Sequence, residues 1–568
     1  MSTQTMSVPG VQMLRGYKAR WLPRDVIAGL VLSALLVPQG MAYAELAGLP
    51  AVTGLYTSIL CLIGYALMGP SRILVLGPDS SLGPMIAATI LPLVGANGDP
   101  AKAVALASML ALLTGAIMIA AGLANLGFIA DLLSKPTILG YMNGLALTIV
   151  VGQLPKLLGF SVDADGFIGE LVGFVQGVFG GEVVPAAAAI GIGSLILLLV
   201  MSRVLPKIPA VLVTVIVAIG ASAAFDLGSQ GVKLVGTLPQ GLPSLTWPAI
   251  QWSDMALLFT GAVGIALVAL ADTIGTATSF AERRGEQVNG NMEMVGIGTA
   301  NVAAGLFQGF PVSTSGSRTA VAEQAGAKSQ ITGLVGAGVI AVMLVALPSL
   351  FADLPQPTLG AVVIAAAITL ADIPALRRLY QQRRTDFALS MFAFAGVVLL
   401  GVLPGIILAI ALSVANVFRR AWRPHTATLG RLDGVAGFHD RQVHPEAEVL
   451  GDSIIYRFDG PLIFANANTF RDEVLGFTAS ASGPVWVIVA AEPITDIDTT
   501  ACDMLEDLVP DLERQGHHLV FAELKHPVKV KLLQYGLQDA IPQDRFYPTV
   551  EAAVADCVSR TGARWEVR

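Results

Sequence analysis

Apolar segments of about twenty residues fill most of this chain between residues 25 and 423. A helix of that length spans the hydrocarbon core of a bilayer. Only 13% of the residues are charged and 54% are hydrophobic, whereas soluble domains carry roughly a quarter charged residues. The chain is therefore predicted to be a polytopic α-helical membrane protein, because it lacks the charge density of a soluble one.

About fourteen such segments can be distinguished, and they fall into two sets of seven on either side of a polar stretch at residues 232–254. A repeat with an odd number of membrane-spanning segments places the second copy in the opposite orientation in the membrane. This is the inverted repeat of many secondary transporters. The repeats are predicted at about residues 25–230 and 250–420. The segments are predicted at residues 26–49 (with a break at Pro38), 51–68, 82–93, 103–126, 137–154, 183–201, 208–225, 255–276, 292–310, 319–326, 331–350, 357–370, 387–403 and 404–418.

Two matching stretches interrupt the apolar pattern just before the third segment of each set. Residues 309–318 read Gly-Phe-Pro-Val-Ser-Thr-Ser-Gly-Ser-Arg, and residues 76–85 read Leu-Gly-Pro-Asp-Ser-Ser-Leu-Gly-Pro-Met. Interrupted helices at corresponding places indicate a transporter's central site, although ordinary membrane-helix kinks have a similar composition. Because helix N-termini attract anions, the two restarting helices are predicted to face each other and hold one. Placing the charged side chain of Arg318 inside the bilayer costs free energy unless the side chain faces a polar site.

The loops indicate the orientation of the chain in the membrane. Basic residues cluster at residues 15–24, 283–284, 377–384 and 419–423, and these clusters are expected on the cytoplasmic side. Both termini are then cytoplasmic, and residues 1–24 form a polar segment that does not resemble a signal peptide. The protein is predicted to lie in the inner (plasma) membrane. The acids that indicate an outer loop are Asp163, Asp165, Glu170 and Glu182.

From residue 424 onward the sequence is charged and alternates between strand-like and helix-like patterns. This pattern predicts a linker and a small cytoplasmic α/β domain over residues 424–568. It contains no Walker loop, so ATP is not predicted to drive transport. The three cysteines, Cys61, Cys502 and Cys557, lie far apart without metal-ligand spacing. Neither an enzymatic activity, a bound cofactor nor a nucleic-acid partner is predicted.

Several motifs resemble the sulfate permease (SulP) family of anion transporters. They are residues 25–29 (Asp-Val-Ile-Ala-Gly), 37–44 (Val-Pro-Gln-Gly-Met-Ala-Tyr-Ala), 46–50 (Leu-Ala-Gly-Leu-Pro), 54–56 (Gly-Leu-Tyr) and 315–321 (Ser-Gly-Ser-Arg-Thr-Ala-Val). The C-terminal region resembles a STAS domain, the α/β module usually attached to these carriers. The resemblance implies two inverted seven-segment repeats divided into a core and a gate domain. It also implies a homodimer whose core moves like an elevator.

The resemblance places the anion between the third and tenth segments, near polar groups of the first. The matching substrate-binding groups here are Ser80 and Ser81 at the start of the third helix, together with Gln39, Ser315, Gly316, Ser317 and Arg318. In the STAS region, Asp498 and Thr499 resemble a phosphorylatable Asp-Ser motif. Because threonine replaces serine there, a structural role or the binding of a cytoplasmic protein partner is predicted instead.

The eighth segment carries Asp272, where family members use a carboxylate, and Thr276 follows one turn later. An acid at this depth indicates a functional role. Two coupling roles stay open, since Asp272 can carry a proton with the anion or can hold Na⁺ with Thr276 and backbone carbonyls. A static ion pair with Arg318 is a third possibility. Asp79 is predicted to cap the third helix, with a second proton site as the alternative.

The sequence therefore predicts a secondary active transporter of a small anion such as sulfate, bicarbonate or a dicarboxylate, coupled to H⁺ or Na⁺. Helix dipoles and Arg318 would provide the positive site, and Asp272 would couple transport to the cation. Two alternatives stay open. One is an uncoupled anion exchanger or channel on the same scaffold, and the other is a membrane sensor that signals through its STAS domain.

Overall fold

The computed structural model describes residues 8–95, 98–127, 134–162, 164, 166–205, 208–479 and 483–566. The chain folds into two compact units, Met1–Ser413 and Val414–Arg568. In the described part of the first unit, the regular secondary structure is helical apart from two very short strands. Asp163 and Asp165, predicted to mark an outer loop, lie outside the described residues.

The helices of the first unit match the predicted apolar segments. Each of the fourteen predicted segments contains a helix, and the last helix continues into the second unit. The helices are α1 (Pro9–Arg15), α2 (Leu22–Leu46), α3 (Ala51–Met68), α4 (Gly83–Val94), α5 (Pro100–Leu123), α6 (Lys135–Leu157), α7 (Gly166–Phe179), α8 (Pro185–Val204), α9 (Ala210–Phe225), α10 (Met255–Glu282), α11 (Gly290–Leu306), α12 (Gly316–Gln324), α13 (Ile331–Ala346), α14 (Gln356–Leu370), α15 (Ile373–Gln382), α16 (Arg384–Leu400) and α17 (Val402–Trp422). The strands are β1 (Leu76–Gly77) and β2 (Ser313–Thr314).

Many of these helices are suited to a bilayer. Among the described residues, eight helices are long and apolar enough to cross a membrane, and four shorter apolar helices accompany them. This confirms the prediction of a polytopic helical membrane protein. The number of segments that actually cross the bilayer stays a prediction.

The helix packing repeats when the two halves of the unit are exchanged. At the centre α3 packs against α11, while α2 packs against α13 and α10 against α5. Likewise, α4 packs against α10 and α12 against α2. Two repeats related by a twofold axis produce such an exchange. We call α2–α5, α10–α13 and the two strands the core group.

A second set of helices follows the same rule. The helix α6 packs against α14 at its centre, α6 also packs against α16, and α8 packs correspondingly against α14. The helix α9 packs against α8. We call α6, α8, α9, α14 and α16 the gate group, after the predicted division into core and gate.

Three local predictions about helices are corrected by the structure. The first segment is one continuous helix, α2, because membrane helices tolerate an internal proline such as Pro38 when neighbouring groups satisfy the freed carbonyl. Part of the predicted outer loop forms α7, whose fourteen residues are apolar but too short to cross a bilayer. The basic loop predicted between the twelfth and thirteenth segments contains a short helix, α15, which carries Arg377 and Arg378.

Glycines let the first two helices of the core group approach closely. A side chain built on Gly54 of α3 would place its Cβ only 1.9 Å from the carbonyl oxygen of Gly40 on α2. Small residues at such contacts allow membrane helices to pack backbone against backbone. This contact fixes the α2 backbone next to Gln39, a predicted substrate-binding residue.

The second unit is an α/β domain built on a six-stranded sheet. The elements are β3 (Thr426–Arg431), β4 (Phe438–Asp440), β5 (Val449–Leu450), β6 (Ser453–Phe458), α18 (Ala467–Ala479), β7 (Trp486–Ala490), α19 (Thr499–Arg514), β8 (His518–Ala522), α20 (His526–Gln534), β9 (Phe546–Tyr547), α21 (Val550–Thr561) and β10 (Trp565–Glu566). The strand order of the sheet is β4-β3-β6-β7-β8-β9, with β6 to β9 parallel and β3 antiparallel to both neighbours. The central strand β7 is buried along its whole length, as parallel strands covered on both faces are.

Candidate functional site

The two interrupted stretches meet as a two-stranded antiparallel ribbon. Leu76 lies opposite Thr314, and Gly77 lies opposite Ser313. Because the strands are antiparallel, the helices that follow them, α4 and α12, leave the ribbon in opposite directions. The expectation that the two broken segments lie against each other is confirmed by this pairing.

Side chains of the surrounding helices satisfy the backbone of these stretches, as buried non-helical backbone requires. Asn301 on α11 accepts from Val312 N at 2.9 Å and donates to Val312 O at 3.3 Å. Thr57 Oγ1 accepts from Phe310 N at 3.1 Å. Thr319 Oγ1 accepts from Val75 N, Ser108 Oγ donates to Gly309 O, and Gln330 Nε2 donates to the carbonyls of Ser71 and Leu74. The site therefore rests on a polar scaffold inside the helix bundle.

Replacing Asn301 by leucine should lower the free energy of unfolding by about 2–4 kcal/mol, because the N–H and C=O of buried Val312 would both lose a partner. The control is Thr299→Val on the same helix, because the Thr299 hydroxyl donates to the Val295 carbonyl of its own helix and to no other described residue. This control should change stability by less than about 0.5 kcal/mol. Thermal unfolding in detergent measures both, and equal midpoints for the two variants would contradict the scaffold role of Asn301.

The two helix starts near the ribbon differ from each other. Ser315 caps α12, accepting at its Oγ from Arg318 N at 3.4 Å and lying 3.0 Å from Ser317 Oγ. Gly316 and Ser317 are exposed at this helix start. The other helix, α4, was predicted to start at Ser80 and Ser81, and this prediction is wrong. These two buried serines form a turn before α4 begins at Gly83, since Asp79 Oδ1 accepts from Ser81 N at 2.9 Å.

Arg318 is almost completely buried, with 1% of its side chain exposed, and it pairs with Asp79. Its Nη2 donates to Asp79 Oδ2 at 3.5 Å. Its Nε and Nη1 have no hydrogen-bond partner in the part of the chain that the structure describes. Gly77 makes room for the guanidinium, because a Cβ there would lie 2.5 Å from Nη1. Since Ser313 lies opposite Gly77, its side chain points to the same ribbon face.

The prediction that Asp79 caps the third helix is wrong, because its carboxylate bonds within the turn that precedes α4. The helix α4 receives no side-chain cap bond at its N-cap residue Leu82. The carboxylate of Asp79 instead joins the turn at Ser81 to the guanidinium of Arg318. An acid beside an anion site opposes binding, and here a buried positive charge lies against it.

Asp272 does not form the predicted alternative ion pair with Arg318. Its Oδ2 lies 3.3 Å from Ser81 Oγ, which in turn lies 2.7 Å from Asp79 Oδ1. One serine hydroxyl thus connects the two carboxylates. Arg318 pairs with Asp79 because the turn before α4 holds Asp79 against the ribbon face on which the guanidinium lies. Asp272, by contrast, lies on α10.

The remaining predicted residues lie around this centre. Thr276 lies beside the start of α12, with its Oγ1 3.9 Å from the Cβ position of Gly316. On the same helix, Thr273 Oγ1 lies 3.0 Å from Thr314 Oγ1, which joins α10 to the ribbon. Gln39 is partly buried on α2, and its side chain makes no hydrogen bond to any described residue. Thr314 lies within the interrupted stretch at residues 309–318, whereas Thr273 has no sequence signal beyond its polarity.

In the second unit, Asp498 is a helix cap. Its Oδ1 accepts from Ala501 N at 2.9 Å at the start of α19, and its Oδ2 accepts from Phe464 N at 2.7 Å. Both contacts stabilise the local fold. Thr499 is exposed as the first residue of α19. The regulatory role predicted for this pair stays a prediction.

The sequence profile of the sulfate permease family matches residues 22–393, which include both interrupted stretches and Asp272. The chain belongs to the sulfate permease family. The STAS domain profile matches residues 444–553. The chain is 40% identical over 547 residues to a probable sulfate transporter of Mycobacterium tuberculosis, covering 96% of this chain and 97% of that protein. It is 28% identical over 569 residues to a chloroplastic sulfate transporter of Arabidopsis thaliana, covering 97% and 82%.

Solved structures of low sequence identity share the fold of this sulfate permease family member. Murine Solute Carrier 26 family member A9, an anion transporter in the inward-facing state, has a TM-score of 0.89 at 23% identity, covering 98% of this chain and 96% of that chain. The transmembrane domain of a cyanobacterial bicarbonate transporter has a TM-score of 0.60 at 22% identity, covering 70% and 98%. The predicted family, the helical membrane fold with a STAS domain, and a transporter rather than an enzyme are thereby confirmed.

Proposed function

We propose that this sulfate permease family member is a secondary active transporter that carries a small inorganic oxyanion, with sulfate as the first candidate, together with a proton. Family membership and relatives named as sulfate transporters support anion transport. The exposed start of α12 at Gly316 and Ser317 offers free backbone N–H groups to an anion. The proton is argued from the hydrogen bonds around Asp272.

The observation that carries proton coupling is the position of Ser81 between two carboxylates. Its hydroxyl has one hydrogen to donate, and the shorter contact, 2.7 Å, is to Asp79. The 3.3 Å contact to Asp272 Oδ2 is then a hydrogen bond only if Asp272 supplies the hydrogen. A protonated Asp272 would donate to Ser81, Ser81 to Asp79, and Arg318 would pair with Asp79. Every member of this chain then has a partner.

The charges of the site lead to the same conclusion. The guanidinium of Arg318 compensates the carboxylate of Asp79, which leaves the charge of Asp272. An ionised Asp272 would make the pocket negative and would repel an anion. A protonated Asp272 makes it neutral, so that the helix N-terminus and hydroxyl groups dominate. Anion binding and proton uptake therefore favour each other, which is the thermodynamic condition for symport.

Sodium is the second candidate for the coupling ion. Thr276 lies one turn after Asp272 and beside Gly316, whose missing side chain leaves backbone accessible. Hard cations are bound by carboxylate, hydroxyl and carbonyl oxygens. An ionised Asp272 with Na⁺ would give the same neutral pocket. The choice between the two ions is an outcome of the experiment below.

Alternating access would follow from movement between the two helix groups. The ribbon, α4, α10 and α12 belong to the core group, and the gate group offers a partner surface. Family members with inverted repeats move one such group against the other around a central site. The protein is further proposed to form a homodimer in the plasma membrane, with both termini and the STAS domain on the cytoplasmic side.

The test is uptake of labelled sulfate by the purified protein in liposomes, under separate inward proton and Na⁺ gradients at a clamped membrane potential. Bicarbonate, chloride, nitrate and a dicarboxylate serve as competitors. We expect the proton gradient to drive accumulation and oxyanions to compete best. Accumulation driven only by Na⁺ would favour the second candidate, and flux independent of both gradients would indicate an uncoupled exchanger or channel.

A further inference from the structure

The short helix α15 connects α14 to α16 and packs against α16 and α6. Asp372 caps its first turn, with Oδ1 accepting from Ala375 N at 2.8 Å. Both α14 and α16 contain predicted membrane segments, whereas α15 carries two arginines and two glutamines in its ten residues. Charged side chains are costly inside the hydrocarbon of a bilayer. The helix α15 therefore lies at the boundary between lipid and water, where the apolar helices end.

One edge of the apolar face of α15 is left uncovered by the described residues. Ala375, Leu376 and Leu379 are half-buried, as expected for side chains that pack against α16 and α6. Ile373 and Tyr380 lie two helical turns apart on one side of the helix, and they are 60% and 52% exposed. An exposed apolar edge next to a polar face is typical of helices that lie in a membrane interface.

Basic side chains flank this exposed edge. Arg377 lies one turn after Ile373 and one turn before Tyr380, so it borders both side chains. Arg384, the first residue of α16, has its Cζ 5.9 Å from the centre of the Tyr380 ring. Both arginines are exposed, and neither forms an ion pair with an acid in the part of the chain that the structure describes. Their guanidinium groups are therefore free to bind an anionic partner.

The acids that are nearest in the sequence do not compensate these charges. Residues 372–386 contain four arginines and two acids. Asp372 is the helix cap, and Asp386 Oδ1 lies 3.8 Å from Nε of Arg383. A positive patch beside an apolar edge is complementary to a surface that presents acyl chains and negatively charged headgroups together.

We propose that this edge of α15 is a binding site for anionic phospholipids of the adjoining leaflet. Ile373 and Tyr380 reach the acyl chains, while Arg377 and Arg384 pair with a headgroup phosphate. Tyrosine is suited to this depth because its ring is amphipathic, and arginine can offer two parallel N–H groups to phosphate oxygens. A lipid is favoured over a soluble protein partner, because α15 is held at the ends of two membrane helices.

The position of the edge is tested with a spin label on Ile373→Cys in the full-length protein, reconstituted in nanodiscs of phosphatidylglycerol and phosphatidylcholine. The three native cysteines are buried, so the introduced thiol is the accessible one. Gln382→Cys, on the opposite side of α15, is the control. Oxygen, which partitions into lipid, should relax the label at residue 373, and a water-soluble nickel complex should relax the label at residue 382. A label at residue 373 that responds to the nickel complex would show an edge that faces water, as a soluble partner requires, and would overturn the proposal.

Headgroup binding is tested by comparing Arg377→Gln with Arg378→Gln. The two variants lose the same charge, but Arg378 lies on the side of α15 away from Ile373 and Tyr380. Native mass spectrometry of each full-length protein measures binding of phosphatidylglycerol and of phosphatidylcholine with the same acyl chains. The wild-type protein should prefer phosphatidylglycerol. Arg377→Gln should weaken that binding about fivefold, which is roughly the contribution of one basic residue at an anionic surface, and Arg378→Gln less than about twofold.

Two outcomes of this comparison would contradict the proposal. Equal binding of the two lipids by the wild-type protein would show that the patch does not recognise a negative headgroup. Equal losses in Arg377→Gln and Arg378→Gln would show a diffuse attraction to negative charge rather than a site at this edge. Because Arg377 is exposed and unpaired among the described residues, its variant should keep the wild-type thermal unfolding midpoint.

Discussion

Replacing Arg318 by glutamine should destabilise the protein by about 3 kcal/mol and weaken sulfate binding roughly hundredfold. Removing one member of a buried ion pair leaves the other charge uncompensated, and here that charge is Asp79. At an effective dielectric constant of about 20, an uncompensated carboxylate several ångströms from an anion opposes its binding by at least about 2–3 kcal/mol. Thermal unfolding and equilibrium sulfate binding measure the two effects.

The double variant Asp79→Asn, Arg318→Gln distinguishes two roles of the arginine. If Arg318 acts by neutralising Asp79, removing both charges should restore most of the stability and much of the sulfate affinity. If the guanidinium itself contacts the anion, the double variant should bind as weakly as the single one. Its 1% exposure favours the first outcome. An Arg318→Gln protein with normal stability and normal affinity would contradict both roles.

Asp272→Asn should abolish accumulation driven by a proton gradient. One pH unit supplies about 1.4 kcal/mol, or a tenfold accumulation, for each coupled proton, and the amide cannot release that proton. Exchange of internal for external sulfate should persist, since asparagine resembles the neutral acid and its amide can donate to Ser81 Oγ. Gradient-driven uptake and exchange are measured on the same liposomes.

A control acid lies at the other end of the same helix. Asp254 precedes α10 and contacts Ser253 rather than the ribbon. Asp254→Asn should therefore accumulate sulfate as the wild type does. Full proton-driven accumulation by Asp272→Asn would rule out Asp272 as the coupling group.

The interrupted stretches were predictable because glycine and proline break an otherwise apolar pattern, and this signal is local. The ribbon that joins them was not predictable, since Leu76–Gly77 and Ser313–Thr314 are too short to show a strand pattern. For the same reason the turn at Ser80 and Ser81 was mistaken for the start of a helix. The helix start at Gly316, by contrast, follows a serine cap that the sequence displays.

The charge pairing at the site could not be read from the sequence. Asp79 and Asp272 are both candidates for a partner of Arg318, and only the fold shows that Asp79 takes it. Pairings of this kind join residues that are far apart in the sequence, so they can be seen only in the folded structure.

The most direct test of proton coupling is to record proton entry and labelled sulfate entry together. Liposomes that contain the wild-type protein and are free of Na⁺ are held at a clamped membrane potential. Labelled sulfate is added outside, and a pH-sensitive dye reports the internal pH. Protonation of Asp272 with each anion predicts that sulfate entry acidifies the interior in fixed proportion to the label, and that Asp272→Asn shows no acidification. Sulfate entry by the wild-type protein without any proton movement would contradict proton coupling through Asp272.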